Sequence, residues 1–248
     1  TMGDMGSITS GSGWGGVSAS FDEEIPHAYE QADDGSATST SMNLVGSKND
    51  NGGIQYKAPT IEMAGATVAL QLGYTPKATD SHTTGGAVLT SDTFGSGQDA
   101  GVTISHESGL TLGVYASERS RVLVSSTATD EFTGTWYAKY AMGPISIGIQ
   151  EAYENNRNGT GVEGADQEAE FWAIAYTAGD MSFSYGESTL DNKATSDADL
   201  AEIELDSIQA SYTMGAMTIS AARTETDNTG GASGETAEET QLSVSFAF

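Results

Sequence analysis

Apolar and polar residues alternate along most of the 248-residue chain. In each alternating run every second side chain is aliphatic or aromatic, and those between are mainly Ser, Thr, Gly and Gln. A period of two residues is typical of a β-strand whose two faces meet different surroundings. Clear runs begin at Val68, Leu110, Ile145, Met181 and Leu242. The sequence therefore predicts an all-β fold in which one face of the sheet is apolar and the other is small and polar.

The pattern predicts eleven strands, and their connections alternate between short and long. The strands are expected at about residues 52–58, 64–75, 99–106, 110–117, 131–142, 145–155, 167–177, 181–188, 201–214, 217–225 and 237–248. Short turns are expected at 59–64, 107–109, 143–144, 178–180 and 215–216, and long polar loops at 76–98, 118–130, 156–166, 188–200 and 226–236. Short turns at one end and long loops at the other are typical of an outer-membrane β-barrel.

A soluble β-sandwich also alternates, so two further features decide between the architectures. The polar face is mostly Ser, Thr, Gly and Gln rather than the Lys and Glu of a sheet exposed to water. Aromatic residues cluster near strand ends, where a barrel carries girdles at the edges of the lipid band. No apolar run reaches 18 residues, so no transmembrane helix is predicted. The sequence favours a transmembrane antiparallel up-and-down β-barrel, with residues 1–248 as a single domain.

The chain is strongly acidic, with 35 Asp and Glu against 9 Lys and Arg and a formal charge of -26. This balance argues against nucleic acid as a partner, because phosphate binding requires clustered Lys and Arg. It is compatible with cations as partners, or with an acidic surface suited to a salty habitat. The absence of Cys excludes disulfides, thiol catalysis and metal sites with Cys ligands.

Catalytic and cofactor motifs are missing from the sequence. The three His residues are scattered, and no Gly-x-Ser-x-Gly nucleophile motif occurs. Residues 156–164 and 191–199 carry enough oxygen ligands for Ca²⁺ in outer loops, but without EF-hand spacing. We therefore expect no enzymatic activity and no cofactor, with Ca²⁺ in the outer loops as an open possibility.

Two stretches resemble bacterial outer-membrane proteins. The chain ends in an alternating strand, Leu242-Ser243-Val244-Ser245-Phe246-Ala247-Phe248, which resembles the C-terminal strand whose last aromatic residue is read by the barrel-assembly machinery. The stretch Gly53-Ile54-Gln55-Tyr56-Lys57-Ala58-Pro59 resembles a hairpin of alphaproteobacterial general porins. The resemblance implies a sixteen-stranded barrel, usually a homotrimer, whose long third loop folds inward and narrows the pore.

On this template residues 1–4 end the fifth strand, residues 5–51 form the constriction loop, and residues 52–248 supply about eleven further strands. The strands before these would be missing at the N-terminus. The resemblance implies that acids of the loop set a negative potential at the constriction, which favours cations. The candidates are Asp22, Glu23, Glu24, Glu30, Asp33 and Asp34. Alternation places Lys57 and Lys139 on the lumen side as basic wall residues, and Phe248 is the expected assembly signal.

The sequence thus predicts an outer-membrane porin for passive diffusion of ions and small hydrophilic solutes through a water-filled, cation-preferring pore. Its expected partners are outer-membrane lipids, the barrel-assembly machinery and two further copies of the chain. The alternative is a secreted or surface-layer β-rich binding protein with Ca²⁺-binding acidic loops. A barrel enzyme would need a catalytic constellation that the sequence does not show.

Overall fold

The computed structural model describes residues 5–11, 16–32, 42, 44–45, 53–76, 93–122, 130–155, 166–193 and 201–247. Within these ranges the chain forms strands and two single turns of 3-10 helix, at Ser18–Ser20 and Thr229–Gly231. The strands are β1 Ser7–Gly11, β2 Gly53–Lys57, β3 Ile61–Met63, β4 Ala66–Thr75, β5 Thr93–His106, β6 Leu110–Val122, β7 Glu131–Met142, β8 Ile145–Asn155, β9 Asp166–Ala178, β10 Met181–Lys193, β11 Ile203–Met214, β12 Met217–Asp227 and β13 Thr236–Phe246.

All thirteen strands belong to one antiparallel sheet, in which neighbours in the chain are neighbours in space. The order runs from β1 through β2 and β4 to β13, and β3 pairs with the turn end of β4. Among the described residues no pairing joins β1 to β13, so these two strands form the edges of the sheet. The all-β, antiparallel up-and-down architecture predicted from the alternation is confirmed.

The β7–β8 hairpin shows how the local sequence builds this sheet. Ile145, Ile147 and Ile149 are β-branched residues suited to strand geometry, and they point to one face. Gly143 has a φ of 60°, which the tight turn before β8 requires and which a residue with a side chain rarely adopts. A short turn therefore closes this end of the hairpin.

The sheet has two chemically different faces. We call the face that carries Gln150 and Gln209 the inner face and the opposite one the outer face. Ile147 and Ile149 on the outer face are 48% and 49% exposed. Large apolar side chains exposed side by side indicate a surface that contacts another apolar phase or molecule rather than water. Toward the long loops the outer face becomes acidic, and its carboxylates there include Glu151, Glu170, Glu187, Asp206 and Glu225.

Two strands lie where the sequence predicted none. Residues 5–51 were expected to form a loop throughout, but Ser7–Gly11 pairs with Gly53–Lys57 as β1. Residues 59–64 were expected to form a turn, yet Ile61–Met63 pairs with β4 after an interruption at Pro59. Proline lacks the N–H that a ladder bond needs, so pairing stops there and resumes beyond it. The turn itself is reduced to Ala64 and Gly65, both at positive φ.

Several strands also extend further toward the long loops than predicted. β5 begins at Thr93, β6 ends at Val122 and β10 ends at Lys193. The extensions are polar, and cross-strand polar contacts stabilise them in place of apolar alternation. For example, the hydroxyl of Ser120 donates to the carbonyl of Ser96 at 3.0 Å.

Residues 16–32, which we call the inner segment, lie against the inner face. Val17, Phe21 and Ile25 of this segment are buried, and so are Tyr115 and Tyr137 of the wall. They belong to one apolar cluster that continues to Phe171, Leu190, Ile203 and Leu205 on the inner face of β9–β11. The main apolar core therefore lies against the inner face of the sheet, and it is formed there by the inner segment together with Met42, Leu44 and Val45.

Candidate functional site

The inner segment crosses the inner face from β4 and β5 to β11. Small residues of the wall allow this close approach. A Cβ placed on Gly73 would lie 3.2 Å from Val17, and one on Gly148 would lie 2.7 Å from Cδ of Pro26. A side chain on Gly101 would overlap the ring of Phe21. These glycines leave space on the inner face for side chains of the segment, above all the ring of Phe21 and Pro26.

Phe21 fixes the start of the path through aromatic packing. Its ring stacks on Tyr115 with the centroids 5.5 Å apart and lies 6.2 Å from the ring of Tyr137. Aromatic pairs at this separation stabilise by about 0.5–1.5 kcal/mol beyond the area they bury. The three rings therefore hold the segment against β6 and β7.

Gln150 of β8 binds the segment at its middle. Its Oε1 accepts a hydrogen bond from the amide of Glu24 at 2.5 Å. Its Nε2 donates to the carbonyls of Phe21 at 3.1 Å and Asp22 at 2.9 Å. The side chain is only 2% exposed, so these bonds satisfy polar groups that water cannot reach.

Ser184 and Gln209 bind the far end of the segment. The hydroxyl of Ser184 accepts from the amide of Ala28 at 2.9 Å. Oε1 of Gln209 accepts from the amides of Tyr29 at 2.9 Å and Glu30 at 3.2 Å, and its Nε2 donates to the carbonyl of Glu30 at 2.7 Å. Side chains of β8, β10 and β11 thus attach a backbone stretch that has no regular secondary structure.

Four of the predicted acids lie on this segment. Asp22, Glu24 and Glu30 are partly exposed, whereas Glu23 is buried. The carboxylate of Glu23 turns back on the segment, where its Oε1 accepts from the amide of Ala32 at 3.4 Å. Asp22 caps its own chain by accepting from the amide of Glu23 at 2.8 Å. The structure therefore places three partly exposed carboxylates along the segment, whereas the fourth is buried.

The two predicted bases differ in their surroundings. Lys139 of β7 lies on the inner face, forms an ion pair with Glu24, and has its Nζ 5.1 Å from the ring centre of Tyr137. Lys57 lies on the same face of β2 as the buried Gln55, and it is exposed. Of the two predicted bases, Lys139 is the one with an ion pair to an acid of the inner segment in the described part of the chain.

Other predicted positions lie outside the described residues. These are Asp33, Asp34, Phe248, and most of both stretches considered for Ca²⁺, so those hypotheses stay predictions. Within the described ranges no group of three or more His, Asp or Glu side chains is arranged to hold a metal ion. No helix in the same ranges has the length and apolarity to cross a membrane.

Sequence reasoning missed the residues that position the segment. Gln150 and Gln209 alternate with apolar neighbours like any wall residue, so no local signal marks them as binding a segment more than 120 residues away. Arg119 was expected in a loop, but it lies on β6 and pairs with the buried Glu131. The sequence does carry a signal for the inner core. In Ile203–Leu205 the two apolar side chains lie on the otherwise polar inner face, and Glu204 lies on the outer face.

Comparisons with known proteins agree on the architecture. A porin structure refined at 1.8 Å resolution is similar to this chain with a TM-score of 0.65 and 17% identity, over 99% of this chain and 79% of that one. OmpT, an outer membrane protein of Vibrio cholerae, is similar in a variant lacking loop L8, with a TM-score of 0.63, 14% identity, and coverage of 98% of this chain and 76% of that one. No family model matches the sequence. No curated protein matches it either.

The fold is thus that of an outer-membrane β-barrel of the porin kind. At these identities the likeness concerns the fold alone. The chemistry of the site has to be argued from the residues of this chain.

Proposed function

We propose that the protein is an outer-membrane porin, a passive channel for ions and small hydrophilic solutes with a preference for cations. The observation that carries the proposal is the inner segment, which lies on the polar face of a porin-like sheet and is attached there by Gln150 and Gln209. A segment held in this position narrows the space along the inner face of the sheet. Channel sites of this kind select by diameter and by the charges at the constriction.

The charges of the segment support the cation preference. Residues 16–32 contain four acids and no Lys or Arg. Lys139 forms an ion pair with Glu24, so one base of the wall offsets part of this negative charge. Two unit charges about 4 Å apart interact by roughly 1 kcal/mol in water and roughly 4 kcal/mol at the effective dielectric near a protein surface. A net excess of carboxylates in a narrow passage therefore attracts cations and repels anions.

The outer face supports placement in a membrane. Its apolar residues form a continuous surface on adjacent strands, and pairs such as Ile147 with Ile174 lie directly opposite each other. Such a surface suits the lipid tails of the outer membrane. We further propose a homotrimer and recognition of Phe248 by the barrel-assembly machinery, both from the resemblance. No nucleic acid, cofactor or catalytic step belongs to this function.

The test is electrical recording from protein purified in detergent and inserted into a planar bilayer under a salt gradient. We expect stepwise conductance and a cation-selective reversal potential. The double variant Asp22→Asn with Glu30→Gln is expected to shift that potential toward zero. The matched control is Glu204→Gln with Asp227→Asn, which removes two charges from the outer face.

Two outcomes would contradict the proposal. Conductance with anion selectivity would retain the channel and refute the role of the segment acids. Protein that remains soluble without detergent and never conducts would refute the channel, and it would favour the secreted β-rich binding protein.

A further inference from the structure

Methionine is confined to one kind of position in the sheet. Among the described strands from β2 onward, every methionine occupies a strand end directly beside a two-residue turn. These residues, which we call the methionine rim, are Met63, Met142, Met181, Met214 and Met217. In the described part of the chain each two-residue turn between paired strands has a methionine beside it, and the turn that contains Gly215 has one on either side. Thioether side chains are therefore concentrated at the short-turn edge of the sheet.

The methionine rim is accessible on the outer face. Its members have the same parity as the outward-facing aromatic residues of their strands, such as Tyr140 in β7 and Tyr212 in β11. Four of the five side chains are between 44% and 66% exposed. A Cβ added to Gly143, Gly179 or Gly215 would meet no atom within 4 Å, so the adjoining turns project into open space. The short turns of a barrel lie in the aqueous phase, and small aqueous reagents can reach sulfur atoms beside them.

Strand packing alone does not explain the choice of methionine at these ends. β-branched and aromatic residues suit strand geometry better, and the paired outer-face positions use them. Ile145 is opposite Met142, and Tyr212 is opposite Met181. Methionine differs from these residues in its polarizable thioether, which oxidants convert to a polar sulfoxide. Exposed thioethers at an aqueous edge therefore point to oxidation chemistry.

Met42 has the opposite surroundings within the same chain. It is fully buried and belongs to the apolar cluster that also contains Leu44 and Val45. A sulfoxide oxygen in that cluster would be a polar group in apolar surroundings, which destabilises a fold unless the oxygen is hydrogen-bonded. A sulfoxide at the methionine rim would be hydrated, and the backbone pairing of the strands would not depend on it. The sheet can therefore tolerate oxidation at the rim but not equally in the core.

We propose that the methionine rim is a site of oxidation by small polar oxidants such as hydrogen peroxide, and that the sheet stays intact when the rim is oxidised. In this reaction the thioether sulfur attacks one oxygen of the peroxide, and the O–O bond breaks. The sulfur gains that oxygen and loses two electrons, and the other oxygen leaves with both protons as water. The modification makes the short-turn edge of the outer face more polar and leaves the inner face unchanged.

The test exposes protein reconstituted in liposomes to dilute hydrogen peroxide, and mass spectrometry of the digested protein follows the sulfoxide at each methionine over time. We expect the rim to be oxidised about tenfold faster than Met42, a ratio that corresponds to a local opening free energy of about 1.4 kcal/mol at the buried site. Ile147→Met is the matched control, because Ile147 is similarly exposed on the same face but lies within its apolar part. A polar oxidant is scarce among lipid tails, so the methionine introduced there should react more slowly than Met142 and Met214.

Equal oxidation rates of the rim and Met42 in the unchanged protein would overturn the proposal, and this comparison does not depend on any variant folding. Rim methionines as slow as the one introduced by Ile147→Met would also overturn it, because lipid would then cover the rim. Loss of strand content at full rim oxidation, measured by circular dichroism, would refute the tolerance of the sheet. Failure of the proposed channel is separately visible, because oxidation is counted by mass and conduction by current. The comparison with Met42 applies equally to protein that does not insert.

Discussion

At the scale of single residues, the ion pair of Lys139 with Glu24 reduces the net negative charge of the inner segment. Lys139 is the base that reaches the acids of the inner segment in the described structure. Its side chain is 34% exposed, so the pair is hydrated and contributes little to stability. The larger effect of Lys139 is electrostatic, because its positive charge offsets the negative charge of Glu24.

Replacing Lys139→Gln should therefore increase cation preference. The reversal potential under a salt gradient should move further in the cation-selective direction, while the melting temperature changes little because the pair is partly exposed. Arg223→Gln is the matched control, since Arg223 lies on the outer face near Glu225 and Glu238. Equal shifts in both variants would show that net charge, rather than position, sets selectivity.

The attaching glutamines give a second residue-scale prediction. Gln150→Ala and Gln209→Ala each remove several hydrogen bonds, and a typical bond contributes about 0.5–1.5 kcal/mol. The segment should become locally mobile without unfolding of the sheet. We expect noisier open-channel current and faster cleavage after Glu24 or Glu30 by a Glu-specific protease.

Gln55→Ala is the control for these variants, because Gln55 is buried on the inner face but bonds to Gln71 instead of the segment. The attachment hypothesis is wrong if Gln55→Ala matches the other two variants in noise and cleavage rate.

At the scale of elements, the inner segment is seated by the glycines of the strands beneath it. A Cβ on Gly148 of β8 would lie 2.7 Å from Cδ of Pro26 and 3.4 Å from Cα of Ile25. A larger residue at this position would therefore displace the segment. Strand glycines often mark such close approaches of backbone. The position of the inner segment therefore depends on the glycines of the strands as well as on the segment's own sequence.

Gly148→Val should displace the segment and change single-channel conductance while β8 still forms, because valine suits a strand. Thr177→Val is the control, since Thr177 lies exposed near the turn end of the same face. Circular dichroism checks that both variants keep their strand content. Conductance unchanged by Gly148→Val would show that the segment does not limit the passage.

The sequence predicted most strands but not the contacts that hold the inner segment, for a physical reason. Alternation of Ile145, Ile147 and Ile149 is a local pattern, and the sheet follows from it directly. The bonds from Gln150 and Gln209 join residues 126 to 180 positions apart, and no local pattern encodes them. β1 was missed because Ser7–Gly11 has weak alternation and is stabilised by its pairing with β2.

At the scale of the whole molecule, the outer face carries an apolar band, and the inner face carries the segment that the proposed function places in the passage. From Ile145 to Glu151 the outer face changes from apolar to charged, over about 20 Å of strand at 3.4 Å per residue. At the strand tilt of about 35–45° found in outer-membrane barrels, this length spans roughly 15 Å of the apolar band, and the carboxylates lie beyond its apolar part on the long-loop side. The same strands carry the inner segment on their other side, so the proposed membrane placement and the proposed selectivity depend on one sheet.

The central claim is that the inner segment lines a conducting pore, and the absence of Cys from the chain allows a direct test. His27 is exposed on the segment, so His27→Cys introduces a single reactive thiol there. A bulky, charged thiol reagent added during bilayer recording should lower the conductance in discrete steps. The same reagent on Thr189→Cys, an outer-face position, should leave it unchanged. Complete labelling of His27→Cys with no change in conductance would contradict the account.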